Sequence, residues 1–407
     1  MAGTLDRGGE PDREREDVER PYDQDRERWR IAQARWLAVV VALVLVGGVT
    51  AAALSSASSG SSGPRQATPL AAGEPERTTR PARATTSAAP TTTPPTTRPA
   101  VVIPAGPVPM AGCPPPPPPP PCVHCAPPSH PGTLVPGTEL PPTPAASPRV
   151  PVTAIISGKG MWIWILKSTE GGDVQAIVAR AKAAGLTQIW IRIADSWDGF
   201  YGGHVLDALA PAAHAAGIKV IGWGFPYFYD PVGDAHWTVA ALNWRGSDGR
   251  GIDAFSPDIE TASEGVLLNA RRTTLYLGLV RQMAPGRPII ATVYPPTTQT
   301  LTYYPFQAMA PYVDAFAPMV YWGCLDPGQA AVQAVTRLTP LADGAPIHLI
   351  GQAYNMASEG GRQASPSRDE TLRFLDVAKR SGATGASFYV WQDMTADEWS
   401  ALTNYSW

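Results

Sequence analysis

The sequence predicts an α/β protein: a (β/α)8 TIM barrel preceded by one transmembrane helix and a disordered linker rich in proline and threonine. Three observations carry that expectation. From Ile155 onward, short apolar runs alternate with helical patterns over about 250 residues, the length such a barrel needs. Several helical patterns close on glycine, at Gly185, Gly217 and Gly382. The loop after the first apolar run, Leu166–Gly172, lacks the Gly-rich phosphate fingerprint that an open doubly wound sheet normally carries there.

In chain order, residues 1–35 mix acids and arginines with few large aliphatic side chains, too little apolar surface to fold, and are expected to be disordered and cytoplasmic. Residues 36–54 contain no charge and are about long enough to cross a hydrocarbon core as a helix. Arg26, Arg28, Arg30 and Arg35 precede them, so the positive-inside rule keeps the amino terminus in the cytoplasm and exports the rest. The alternative is a cleaved signal peptide ending near Ala51–Ala53. The long leader and long apolar run favour an uncleaved anchor.

Residues 55–150 are rich in Ser, Thr, Ala and Pro, with an unbroken proline run from Pro114 to Pro121. Such chain is stiff and extended and suits an extracellular linker. Cys113, Cys122 and Cys125 bracket the run. The Cys122–Cys125 spacing can hold zinc or do redox chemistry, but it has no second pair, and in an exported segment a disulfide is favoured. One odd thiol would then remain, able to join two chains as a disulfide dimer. Cys324 is expected simply to be buried.

The barrel is expected over residues 151–407. Its strands read as Met161–Ile165, Gln188–Ala194, Lys219–Pro226, Ala254–Glu260, Pro288–Tyr294, Ala315–Tyr321, His348–Gln352 and Ala386–Trp391. Asp173 caps the first helix, where Val174, Ile177, Val178, Ala181 and Ala184 keep helical spacing. His204–Ala216 and Thr371–Arg380 read the same way.

A barrel carries its site at the carboxyl ends of its strands. Those ends offer acids (Asp195, Asp258, Glu260), aromatics (Tyr227, Tyr294, Tyr321, Trp322, Trp391) and amides (Gln352, Gln392). Aromatic faces suit the apolar faces of sugar rings, and carboxylates and amides suit hydroxyls; each aromatic taken alone could equally be core. In Asp253–Glu260 the strand period puts Ser256, Asp258 and Glu260 on one face, with Phe255 and Ile259 on the other. Close carboxyls push each other's pKa values apart, which lets one act as a general acid near neutral pH. The bland reading pairs them with Arg271 or Arg272, or makes them helix caps.

Asp253-Ala-Phe-Ser-Pro-Asp-Ile-Glu260 resembles the fourth-strand motif D-x-x-D-x-D-x-E of the family 18 chitinase-like glycoside hydrolases, with Ser256 in place of the middle Asp. The resemblance implies that Glu260 protonates the leaving glycosidic oxygen while Asp258 steadies the substrate's acetamido group, the substrate-assisted route. Met319-Val-Tyr321 resembles the family's sixth-strand M-x-Y-D, with Trp322 where the Asp stands, and Trp391 resembles the eighth-strand Trp that floors the sugar site. The wider likeness is to exported, uncharacterised glycosidase-like barrels of high-GC Gram-positive bacteria. The Asp-x-Glu also resembles family 25 lysozyme-like barrels, whose first-strand Asp has no counterpart in Met161–Ile165.

Net charge is only −3 with no basic stripe, which argues against a nucleic-acid partner. The six histidines show no ligand spacing, so neither metal nor cofactor is expected. The reading is a membrane-anchored glycoside hydrolase acting on polysaccharide or peptidoglycan. Glu260 is its acid, Asp258 its partner and Asp195 a spare carboxylate. The alternatives are a non-catalytic glycan-binding barrel on a stalk, or a purely structural spacer.

Overall fold

The computed structural model describes residues 139–357 and 362–407. The expected cytoplasmic segment, the span at 36–54, the linker up to residue 138 and Cys113, Cys122 and Cys125 lie outside the described residues. Among the described residues, no helix is long and apolar enough to cross a membrane.

Eight parallel strands close into a ring: β1 (Gly158–Ile163), β2 (Leu186–Asp195), β3 (Lys219–Phe225), β4 (Ala254–Ile259), β5 (Ile290–Val293), β6 (Ala315–Val320), β7 (His348–Gln352) and β8 (Gly385–Tyr389). Closure comes from β1, which pairs with both β2 and β8. A two-residue strand, Gly199–Phe200, folds back antiparallel on the end of β2.

The long helices are α1 (Val174–Ala183), α2 (Gly203–Ala215), α3 (Pro231–Asn243), α4 (Ala270–Met283), α5 (Pro327–Leu338), α6 (Arg368–Arg380) and α7 (Ala396–Asn404). Asp173 caps α1 by accepting from the N–H groups of Gln175 and Ala176 at 2.8 and 3.2 Å. Ser367–Glu370 and Thr395–Glu398 form capping boxes that start α6 and α7. Gly185 and Gly217 follow α1 and α2 with φ of 63° and 77°, the left-handed turn that glycine allows.

One return departs from the expected pattern. After β5 only a single helical turn forms, Phe306–Met309, between 3-10 turns. Pro295, Pro296, Pro305 and Pro311 punctuate that stretch, and proline removes N–H donors and bars the helical conformation of the residue before it.

Alternation along the strands builds two apolar layers. Trp162, Trp190, Ile221, Trp223, Ala254, Ile290, Ala317, Met319 and Ile350 fill the barrel interior. Trp162 and Trp190 stack there with centroids 4.7 Å apart. Ile163, Ile191, Phe255, Phe316, Leu349 and Phe388 belong to the other layer, with the helix residues. The interior is thus packed with indoles below the mouth.

The folded body begins before residue 151. Arg271 of α4 donates to the carbonyls of Leu140 and Pro141 and to Thr143 Oγ1. Arg149 reaches the carbonyls of Ala310, Val313 and Asp343, and Val150 N–H donates to Asp314 Oδ1 at 2.6 Å. Although rich in proline, residues 139–150 are a strap bound to the barrel.

Candidate active site

At the mouth, β4 ends with Asp258, and Glu260 follows one residue past the strand; both are half-buried. Their backbone is fixed from the side: Tyr304 donates its hydroxyl to the carbonyl of Ile259 at 2.5 Å. Ser256, one inward step below, is fully buried, donates to Ile290 O at 2.7 Å and lies 2.8 Å from Thr292 Oγ1. A carboxylate at that position would have needed a counter-charge; the serine is satisfied by its neighbours.

Asp258 Oδ1 is buried with no hydrogen-bond partner among the described residues. Burial raises the pKa of Asp258 to about 7; Arg192 pulls it down and Glu264 pushes it up. Around the pair stand tyrosines. Burial, then the charges of Glu260 and Glu264, raise the pKa of Tyr294, and Tyr304 is raised by burial and then Glu260. Tyr321 is raised by burial, by Tyr354 and Tyr389, and by both acids of β4. Tyr389 has ring contacts with Trp162, Trp223, Tyr321 and Tyr354 at 6.0 to 6.4 Å between centroids.

The remaining expected site residues divide. Tyr227 lies on the rim, with ring contacts to Phe225 at 4.7 Å and Trp197 at 5.8 Å. The rim there is braced by Asp234, which accepts from Ser196 Oγ, Trp237 Nε1 and Phe228 N–H; burial raises its pKa to about 7. Gln392 is half-buried at the end of β8, with its Oε1 enclosed and unbonded.

Asp195 is engaged. Its Oδ1 accepts from the N–H groups of Trp197 and Asp198 at 2.8 and 2.9 Å, and its Oδ2 meets Arg192 at 3.0 Å. Gln352 spends its amide on the backbone, accepting from Gly323 N–H and donating to Tyr354 O, each at 2.8 Å.

The two tryptophans face away from the barrel axis. Trp322 is 1% exposed and packs against Phe374 of α6 at 5.1 Å between centroids. Trp391 belongs to the same outer layer, bonded from Nε1 to Glu170 and packed on Trp399. Tyr321 and Tyr389 take the inward positions; Trp322, one residue past Tyr321, alternates outward, whereas Trp391 lies beyond β8 in the 3-10 turn Trp391–Asp393, where strand alternation has ended. In place of Trp391 the mouth has Tyr389, already visible inside the β8 run.

Two further expectations change. Asp253 is at the opposite end of β4 from the mouth. It bonds His214 Nε2 and Val220 N–H at 2.8 Å each, with Lys219 at 3.2 Å; burial opposes its charge, but those partners hold its pKa below the usual value. Arg271 holds the strap, and Arg272 donates to the carbonyls of Phe228 and Tyr229. Cys324, in the loop after β6, is half-buried and disulfide-bonded, not a plain buried thiol. Among the described residues no group of His, Cys, Asp and Glu is arranged to hold a metal ion.

The fold is that of a (β/α)8 barrel. No family model matches the chain, and no curated protein matches it. Among solved structures it is similar to a family GH18 chitinase from Cycas revoluta complexed with allosamidin, at 10% identity and a TM-score of 0.45, covering 61% of this chain and 99% of that one. It is also similar to a chitinase from Chromobacterium violaceum, at 11% identity and 0.46, covering 60% and 98%. The Bacillus cereus spore cortex-lytic enzyme gives 11% and 0.47, covering 61% and 74%.

Proposed function

We propose that the chain is a glycoside hydrolase acting on cell-wall or extracellular polysaccharide. The observation that carries the reading is the carboxyl pair at the end of β4 inside a tyrosine-lined mouth, where burial keeps Asp258 partly protonated near neutral pH. Glu260 is the general acid toward the glycosidic oxygen. Asp258 orients the substrate or stabilises the developing cation. Tyr294, Tyr321 and Tyr389 supply the sugar-facing surface. Residues 36–54 anchor the chain in the membrane and the proline-rich segment displays the barrel outside.

A second reading, a non-catalytic glycan-binding barrel, is favoured by Asp195 being engaged in its own turn and by Ser256 replacing the motif's middle acid. One experiment separates the two. The strap and barrel (residues 139–407) and a Glu260→Gln variant are incubated with peptidoglycan, chitin oligosaccharides and α- and β-glucans, following new reducing ends and bound sugar together. Release that falls by roughly 10²–10⁴-fold in the variant supports the hydrolase. Equal binding by both, without release, sinks it in favour of the binding barrel.

A further inference from the structure

The β4 acids are half of the mouth's charge arrangement; the other half comes from β2. Alternation turns Gln188, Trp190 and Arg192 of β2 toward the axis. Cross-strand register sets Arg192 level with Trp223 of β3, and Trp223 level with Ser256 of β4. Asp258 is the next inward residue above Ser256. Two strand spacings, about 10 Å, therefore separate the Arg192 backbone from β4. A long guanidinium side chain is suited to crossing that gap.

Arg192 is held from three sides. Asp195 Oδ2 meets the guanidinium at 3.0 Å, and the rings of Trp164 and Trp223 lie 5.9 and 5.7 Å from it. Asp195 cannot swing away, because its other oxygen is fixed by two backbone N–H groups. An arginine confined like this loses little further freedom when it acts on a third group.

We propose that Arg192 is the positioning residue of this mouth: clamped by Asp195 and two indole faces, its guanidinium supplies the counter-charge against which Asp258 ionises. The proposal rests on Asp258 being a working carboxyl, while the coupling itself is measurable without any substrate.

The groups that act on Asp258 or feel its charge come from every side: Arg192 from β2, Glu264 from the loop after β4, Tyr304 from the loop after β5, Tyr321 at the end of β6 and Tyr389 from β8. Glu260 is its neighbour on the same chain segment. Without Arg192, burial and the acidic neighbours are unopposed, and Asp258 holds its proton to higher pH.

The test is a carbon-13 titration of the full chain with labelled aspartate carboxyls, the Asp258 signal being assigned by its loss in Asp258→Asn. Arg192→Gln is expected to raise the Asp258 midpoint by about one unit or more, tenfold in proton affinity. Arg192→Lys, which keeps the charge, is expected to shift it less. Asp195→Asn keeps the oxygen that accepts from Trp197 and Asp198 but drops the charge that competes for Arg192. It is expected to lower the midpoint. A folded Arg192→Gln variant with an unmoved midpoint overturns the proposal. Should Arg192→Gln not fold, Asp195→Asn decides: an unchanged or raised midpoint overturns it. Absence of glycan hydrolysis with both shifts intact would remove the hydrolase reading and leave this coupling standing.

Discussion

Arg281 of α4 and Asp314, just before β6, form an ion pair at 2.6 Å with both side chains excluded from water. Asp314 also accepts from the N–H of Ile289 before β5 and from Val150 in the strap, while Arg281 Nε donates to Tyr312 O. One carboxylate therefore ties a helix, the entries to two strands and the strap together. Breaking a buried pair leaves an uncompensated charge, so Asp314→Asn is expected to destabilise by about 3–5 kcal/mol in urea unfolding. It should also expose residues 139–150 to protease. An unfolding midpoint equal to that of the parent would show that the pair does not hold this end of the barrel.

Asp258 sets a pH dependence of stability. Its folded pKa of about 7 lies above the ordinary carboxylate value. The folded state thus binds the proton more tightly than the unfolded chain does. The resulting stabilisation is complete below about pH 4 and is lost as pH rises through 7. Asp258→Asn removes this loss. The variant is expected to melt higher than the parent at pH 8, by up to about 4 kcal/mol of unfolding free energy, with the gap closing toward pH 4. A gap that is the same at both pH values would contradict the buried-carboxyl account.

Tyrosine and tryptophan at the strand ends have different roles. Trp322→Ala opens a cavity against Phe374 and should destabilise by about 3–5 kcal/mol. Its glycan affinity, measured on the folded fraction, should hardly change. Tyr389→Ala is expected to weaken glycan binding about tenfold or more, roughly 1.4 kcal/mol. The reverse pattern in paired melting and binding curves would return Trp322 to the cleft.

Cys324 is disulfide-bonded, and the chain's other cysteines are Cys113, Cys122 and Cys125. Peptide mapping without reductant is expected to find Cys324 joined to one of these three. Gel filtration under the same conditions tells whether that bond lies within one chain or between two. A free thiol at position 324 would refute the linkage.

Much of the fold was legible because it rests on local physics. Asp173, Ser367 and Thr395 cap their helices with side-chain oxygens that accept from N–H groups two or three residues on, and Gly185 and Gly217 end helices for want of a Cβ. The inward placement of Ser256 and Asp258 followed from the two-residue period of a strand. The missing helix after β5 was also written in its prolines, but eightfold regularity overrode that signal.

The sequence by itself determined the barrel, its strand order and the carboxyl pair at the end of β4, because period, caps and breakers act over a few residues. Tertiary structure decided which mouth residues face the axis. A strand ending one or two residues early leaves Trp391 and Trp322 among the helices and gives their places to Tyr389 and Tyr321. It also engaged Asp195 with Arg192, Asp253 with His214 and the strap with Asp314. Arg192 and Asp195 are only three residues apart, but the other two pairs join groups 39 and 164 residues apart in the chain, and no local pattern encodes such a meeting.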